Sequence, residues 1–159
     1  MDTEYALFKI TINKFLKLCK QTEGQSTTKG LNLREVGGTF RGFEMKAVFG
    51  SGNLITRPGL VFLKDGNQVS KGIYPLVVFV TATKEVLTIK GVSTDNQPPI
   101  NMRWVIQEGL DAPLCRTKYA DERSARSYLR GSYSIESLDE QTILSVKNDI
   151  ESIIADYRN

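Results

Sequence analysis

The chain has 159 residues and no histidine, and it contains 40% hydrophobic and 25% charged residues with a net charge of +3. These values fit one globular domain with a single core, and they do not indicate a fibrous or wholly disordered protein. The absence of histidine excludes Ser-His-Asp triads, Cys-His dyads and the common histidine-ligated zinc sites.

The N-terminal segment, residues 4–20, is predicted to form an amphipathic helix. Its apolar residues share one helical face, and they are Phe8, Ile12, Phe15, Leu16 and Cys19. Its lysines lie mostly off that face, which favours a solvated surface over a binding site; they are Lys9, Lys14, Lys17 and Lys20. The acidic, amphipathic start is unlike a signal peptide, and no apolar run approaches the ~20 residues of a membrane span. We therefore expect a cytoplasmic protein.

From Phe43 to Gly91 the pattern is typical of β-strands. The segment FEMKAVF alternates between apolar and polar residues, LVFL and LVVFV are short apolar runs, and EVLTIKG alternates again. Turn signals separate these segments, so neighbouring strands are expected to pair mainly antiparallel. A glycine-rich loop, FGSGN, lies between two of the strands. It is either a plain hairpin turn or a loop that contacts a ligand.

After STDNQPP the chain is expected to form helical or irregular pieces, with Trp104 and Val105 in the core. The last segment, LDEQTILSVKNDIESIIADY, predicts a helix because acidic residues occupy its first turn and an apolar stripe follows. Helices at both ends with strands between them predict an α+β fold. We expect one domain over residues 1–159, with a mainly antiparallel central sheet flanked by N-terminal and C-terminal helices.

The charge is distributed unevenly along the chain. Residues 1–90 carry thirteen Lys/Arg against seven Asp/Glu, whereas residues 132–159 carry two against six. This asymmetry suits a protein with one surface that faces a polyanion. A magnesium-dependent nuclease would need converging acids and a lysine, and the nearest set is Asp65, Glu85 and Lys90, without the usual short acid-x-Lys spacing. Cys19 and Cys115 form no CxxC pattern and are expected to be reduced thiols.

Four ordered motifs carry a family resemblance. FGSGN is followed a few residues later by a proline, GIYP precedes an apolar strand, and GVSTDNQPP lies ahead of a tryptophan. In this order and with this spacing, the chain from about Lys14 to Trp104, and more loosely to its final helix, resembles the N-terminal DNA-binding domain of the McrB family. The members of that family are GTP-dependent restriction proteins specific for modified cytosine.

The resemblance implies a non-catalytic module, without a cofactor, that recognises methylated double-stranded DNA. Such a module flips the modified base, for example 5-methylcytosine, out of the duplex and into a pocket. It also implies a GTPase domain, normally on the same polypeptide, and an McrC-like nuclease subunit as partners in an antiviral type IV restriction system. The alternative is a protein-interaction module of a defence system without base-specific readout, and an enzyme acting on nucleic acid is a third class.

The resemblance assigns base-pocket positions to Gly59, Tyr74, Val78 and Tyr119. Two positions depart from the family pattern, since Ser51 replaces an aromatic wedge and Gly59 replaces a tryptophan that stacks on the flipped base. A base–aromatic stack contributes ~1–3 kcal/mol. Either Phe62 or Tyr119 substitutes for the missing ring, or the pocket accepts a larger group, or DNA is bound without base flipping.

The FGSGN loop and its basic neighbours are the predicted DNA contacts. Gly50 and Gly52 allow close approach of the backbone to a phosphate or sugar, and the polar side chains between and beside them can donate hydrogen bonds. Nearby arginines and a lysine supply positive charge. The predicted contacts are Arg41, Lys46, Ser51, Gly52, Asn53 and Arg57.

Overall fold

The computed structural model describes residues 2–25, 27–50, 57–93, 103–121, 126–137 and 139–158. The two α-helices of these ranges are α1 (Thr3–Gln21) and α2 (Glu140–Ala155). The strands are β1 (Thr39–Phe40), β2 (Phe43–Val48), β3 (Gly59–Leu63), β4 (Ile73–Val80), β5 (Glu85–Val92), β6 (Arg103–Trp104), β7 (Ala112–Pro113), β8 (Tyr128–Ser134) and β9 (Tyr157–Arg158). Neither helix, nor any other in the described ranges, is long and apolar enough to cross a membrane.

The central sheet has seven strands in the order β1-β2-β3-β4-β5-β8-β7. All of its neighbouring strands pair antiparallel, and β6 and β9 form a separate two-stranded sheet. In sequence, all strands of this central sheet lie between the two helices, which are near the two ends of the chain. The predicted α+β fold with a mainly antiparallel sheet between terminal helices is therefore confirmed.

Both helices pack on the same side of the central sheet, which we call the helix face. Apolar residues of α1 and α2 meet the inward side chains of β2, β3, β4 and β5 in one core. Aromatic rings dominate where α1 crosses the sheet; the Phe8 ring lies 4.8 Å from that of Phe40, and Phe15 lies 5.7 Å from Phe49. Each helix begins at an aspartate whose side chain accepts a backbone N–H, from Tyr5 at 3.0 Å and from Thr142 at 2.8 Å.

A smaller apolar cluster covers the opposite side of the sheet, which we call the second face. Side chains alternate along a strand, so the residues of β4 and β5 that point away from the helices meet here. The chain from β7 to Tyr119 lies over them. The buried members of this cluster are Val78, Val80, Leu87, Ile89, Leu114 and Tyr119.

The segment that forms β8 was expected to be helical or irregular, and that prediction is wrong. Residues Tyr128–Ser134 form a strand between β5 and β7. Its register with β5 shifts between Thr88 and Ile89, which leaves Arg130 as the extra residue of a β-bulge. Its sequence lacks an apolar alternation because its side chains make polar contacts with the helix layer instead, as Tyr133 does with Asp149 at 2.5 Å.

A buried charge network ties the bulge to the rest of the fold. Lys90 on β5 is fully buried and donates to Asp111 at 2.6 Å and to Asp156 at 2.9 Å. Arg130 pairs with the same two carboxylates at 2.8 and 3.2 Å. Burial opposes ionisation of both aspartates, yet the hydrogen bonds from these two cations hold the pKa of each below its ordinary value. The network joins the central sheet to the end of α2.

Candidate nucleic-acid interface

The FGSGN loop leaves the central sheet at one defined end. Val48, the last residue of β2, pairs with Gly59, the first residue of β3, so the intervening chain departs and returns at the same place. We call this the loop end of the sheet; Val80 and Glu85, which pair with each other, lie there too. Three of the predicted DNA contacts fall in the intervening chain and lie outside the described residues, namely Ser51, Gly52 and Asn53.

Three of the four predicted pocket residues come together near the loop end, on the second face. Gly59 and Val78 are direct partners across β3 and β4. Val78 and Tyr119 are 6% and 5% exposed and belong to the same apolar cluster. A Cβ atom at position 59 would lie 2.9 Å from the Leu76 Cδ1 atom and 4.0 Å from the Val78 Cγ2 atom. The Leu76 side chain therefore occupies the space that a larger residue at position 59 would need.

Polar contacts hold Tyr119 in this position. Its hydroxyl donates to the Glu85 carboxylate at 2.5 Å, and its backbone carbonyl accepts a hydrogen bond from the Arg57 guanidinium. Arg57 also forms an ion pair with Asp121 at 3.4 Å. The hydrogen bonds from Tyr119 and Thr83 lower the pKa of Glu85, so the carboxylate is the charged acceptor of the tyrosine hydroxyl. Arg57, a predicted DNA contact, is thus bound to the segment that covers the predicted pocket.

Tyr74 lies on the second face but at the other end of β4. It is four residues from Val78, which corresponds to about 13 Å along a strand. Its hydroxyl donates to the Val69 carbonyl at 2.8 Å, and it pairs with Gly91 of β5. The structure therefore separates Tyr74 from the three pocket residues at the loop end.

The other two predicted contacts occupy different surroundings. Lys46 is exposed on β2, where the burial pattern places its neighbours in the core and Lys46 on the second face. Arg41 lies before β2, at the opposite end of that strand from the loop end, and binds three carboxylates, of Asp2 at 2.6 Å, Glu4 at 2.5 Å and Glu151 at 3.0 Å. Its charge is therefore compensated within the protein.

For a group of lysines near the loop end, the sequence predicted a solvated surface and no binding role. The second half of α1 reaches this region, since Phe15 contacts Phe49, the residue after β2. Lys14, Lys17 and Lys20 are exposed there, and none forms an ion pair with another described residue. Their spacing of three along a helix places them on one side, which was the available signal.

The acids and lysine considered for a nuclease do not converge. Glu85 and Lys90 are five residues apart on β5, about 17 Å along a strand, and their side chains point to opposite faces. Lys90 is taken up by the buried charge network. Among the described residues no group of three or more acidic or cysteine side chains is arranged to hold a metal ion.

Comparison with known proteins finds a similarity that extends over most of the chain. No family model matches the chain. Over 152 residues the chain is 28% identical to the "Type IV methyl-directed restriction enzyme EcoKMcrB subunit" of Escherichia coli strain K12. The match covers 92% of this chain and 31% of that protein, so the chain spans about a third of the relative's length. This similarity confirms the predicted resemblance to the McrB family.

Proposed function

We propose that this chain is a non-catalytic module that binds double-stranded DNA carrying a modified base, and that it serves as the specificity module of a type IV restriction system. The observation that carries this proposal is the similarity, over 92% of the chain, to a subunit of a methyl-directed restriction enzyme. The fold supports it, because three of the four predicted pocket residues and one predicted contact, Arg57, come from distant parts of the chain and lie together at the loop end.

In this proposal the DNA lies against the loop end. The FGSGN loop approaches the duplex, and Arg57 and the exposed Lys46 contact phosphates. The lysines of α1 extend the positive surface on the helix side, so that the backbone is contacted on both sides of the sheet end. These lysines are Lys14, Lys17 and Lys20.

The modified base is proposed to leave the duplex and bind on the second face, beside Gly59, Val78 and Tyr119. These residues supply an apolar floor and one aromatic ring. Because Gly59 carries no side chain, Tyr119 takes the role of the stacking platform. Tyr74 would line the far end of the same face, where a larger modification could extend.

The module is proposed to work with further parts of a restriction system in the cytoplasm. The matched relative is described as an enzyme subunit, and the match covers only 31% of it. We therefore propose a GTPase domain, on the same polypeptide, and an McrC-like nuclease as its partners. The module itself would need no cofactor.

One observation favours the alternative of a protein-interaction module without base readout. Ile106, just ahead of the turn before β7, and Leu110, within that turn, are 42% and 58% exposed. Two large apolar side chains at one exposed turn suit a contact with another protein. Under this alternative the partner would bind at this turn, and DNA would not bind the loop end.

The test is fluorescence anisotropy with matched duplexes at two salt concentrations. The duplexes are unmodified or carry 5-methylcytosine, 5-hydroxymethylcytosine, N4-methylcytosine or N6-methyladenine. We expect one modified duplex to bind most tightly, and Arg57→Gln to weaken binding to every duplex and to reduce its salt dependence. Lys71→Gln, in the exposed turn before β4, is the control for net charge and should weaken binding and reduce its salt dependence less than Arg57→Gln does. Absence of binding to all five duplexes would contradict the proposal and favour the interaction module.

A further inference from the structure

Residues 117–121 cover part of the second face at the loop end, and two distant parts of the chain hold them there. Glu85 accepts the Tyr119 hydroxyl, and Arg57 binds both the Tyr119 carbonyl and the Asp121 carboxylate. Neither Glu85 nor Arg57 is near this segment in sequence. Tyr119, which is 5% exposed as a residue, lies in the apolar cluster that contains Val78. In this arrangement Tyr119 covers the surface on which a flipped base is proposed to bind.

The geometry points to a latch formed by residues 117–121. In the absence of DNA this segment covers part of the second face. A DNA phosphate that binds Arg57 in place of Tyr119 and Asp121 allows the segment to move away and exposes that face. This inference rests on the proposed DNA-binding function and deepens it. Arg57 then couples binding of the DNA backbone to exposure of the base site. Tyr119 is the residue whose movement exposes that site.

Competition for Arg57 follows from the chemistry of its side chain. A guanidinium binds phosphate through two parallel charge-assisted hydrogen bonds, which are stronger than a bond to a neutral carbonyl. The side chain of Arg57 is about a quarter exposed, so a phosphate at the loop end can reach it. Once Arg57 turns to the phosphate, the backbone carbonyl of Tyr119 and the carboxylate of Asp121 lose their contacts with Arg57.

After Arg57 is withdrawn, the contacts that still favour the closed form include the Tyr119 hydroxyl bond to Glu85 and the burial of Tyr119, so the segment opens more readily than before. The surface beneath it is apolar and includes Val78 and Leu87. A flipped base that enters there would replace the Tyr119 ring on this apolar surface. The displaced Tyr119 ring would then be able to stack on the base. The closed form thus keeps the apolar surface covered until a duplex is bound.

A latch has a consequence that a plain contact residue lacks. When only the open fraction of a protein binds its ligand, the apparent dissociation constant is the intrinsic one divided by that fraction. Weakening the latch without changing the DNA-binding groups must therefore tighten binding. Loss of a simple DNA contact would weaken it.

The test is Tyr119→Phe, which removes the hydroxyl bond to Glu85 and keeps the ring. We expect roughly tenfold tighter binding to the preferred modified duplex, because hydrogen bonds to charged groups are among the stronger ones and their loss favours the open form. Tyr133→Phe is the matched control, since Tyr133 also donates to a carboxylate at 2.5 Å, that of Asp149, but on the helix face. Its affinity for DNA should equal that of the wild type.

Hydrogen exchange supplies a second readout on the unmodified chain. The backbone N–H groups of Tyr119 and Ala120 donate to Thr117 at 3.2 and 3.1 Å within the latch. If DNA opens the latch, these amides should exchange faster in the complex than in the free protein. If the segment remains closed beneath the duplex, they should exchange at the same rate or more slowly.

The outcomes separate the latch from the proposed function. Tighter binding by Tyr119→Phe alone, with faster exchange at residues 119 and 120, supports the latch. Equal or weaker binding by Tyr119→Phe, while the wild type binds modified DNA, overturns the latch and leaves the proposed function standing. Tightening by Tyr119→Phe and Tyr133→Phe alike also overturns it, because the effect would then be a general loosening. Absence of DNA binding by the wild type overturns both.

Discussion

At the scale of single residues, two glycines of the second face differ in what surrounds them. A Cβ atom on Gly91 would lie 2.9 Å from the Tyr74 carbonyl oxygen and 3.3 Å from its ring. A Cβ atom on Gly59 would meet the Leu76 side chain, at 2.9 Å, as its nearest neighbour. A side-chain tip can rotate away, whereas a strand carbonyl cannot move without disturbing its ladder. Gly91 is thus required by close packing, and Gly59 is not.

This difference predicts unequal costs for the same substitution. Gly91→Ala should lower the free energy of unfolding by about 1–3 kcal/mol, the usual cost of overpacking a well-filled site. Gly59→Ala should cost less than about 1 kcal/mol, because only Leu76 must change its rotamer. Urea denaturation of the two variants beside the wild type measures both values. Equal losses, or a larger loss for Gly59→Ala, would show that Leu76 is fixed.

At the scale of elements, the start of α1 is bound by an ion pair to the chain that precedes β2. Asp2 caps the helix by accepting the Tyr5 N–H and also binds Arg41, which precedes β2. The hydrogen bond from Arg41, followed by that from the Tyr5 backbone, lowers the pKa of Asp2 to about 2 from an ordinary 3.8. A folded-state pKa below the unfolded value means that the charged form stabilises the fold above about pH 4. That contribution is lost as the pH falls towards 2.

We therefore predict a pH-dependent effect of Asp2→Asn. Asparagine keeps the cap but removes the charge, so at pH 7 the variant should unfold at a lower temperature than the wild type. The difference should shrink between about pH 4 and pH 2, as Asp2 becomes protonated in the wild type. Thermal unfolding at several pH values measures it. In an Arg41→Met background the difference and its pH dependence should both become smaller. A difference that stays constant down to pH 2 would contradict the assignment.

The elements also show which features a single sequence reveals. The two helices and strands β2 to β5 were predictable because each buries apolar side chains with its own period. The strand β8 was not, because Arg130 and Tyr133 are placed by carboxylates elsewhere in the chain, such as Asp111 and Asp149. No local pattern encodes partners that lie so far away in sequence.

The candidate site was predictable to a similar extent. The family resemblance selected Gly59, Val78 and Tyr119, which the fold then brings to one end of one face. The contact between Arg57 and Tyr119 joins residues 62 positions apart, and neither residue type indicates it. Such a pairing depends on the sheet order and on the path of the chain across the second face, so this contact became evident only in the structure.

At the scale of the whole molecule, the helix layer has a neutralised part and an uncompensated part. Around the start of α1, basic side chains pair with carboxylates, as Lys9 does with Glu140 at 2.7 Å and Arg41 does with three acids. Towards the end of α1, Lys17 and Lys20 are exposed and pair with no other described residue. The free positive charge of this layer therefore lies close to the loop end.

If DNA binds the loop end, the lysines at the end of α1 must contribute to its salt dependence. Each phosphate contact adds about 0.9 to the slope of log affinity against log salt concentration. Lys17→Gln combined with Lys20→Gln should therefore reduce the magnitude of that slope by about 1.8, for unmodified and modified duplexes alike. The double variant Lys64→Gln, Lys71→Gln removes the same charge from the chain between β3 and β4, at the other end of the sheet.

This comparison separates the effect of a specific binding surface on the salt dependence from the effect of the protein's net charge. Both double variants lower the net charge of the protein equally, so long-range attraction falls by a similar amount in each. Anisotropy titrations at four or five salt concentrations give the slopes. A reduced slope for the Lys17, Lys20 variant alone places the duplex at the loop end on the α1 side. Equal slopes for the two variants would mean that DNA does not reach α1, and the interface would then be confined to the second face and the FGSGN loop.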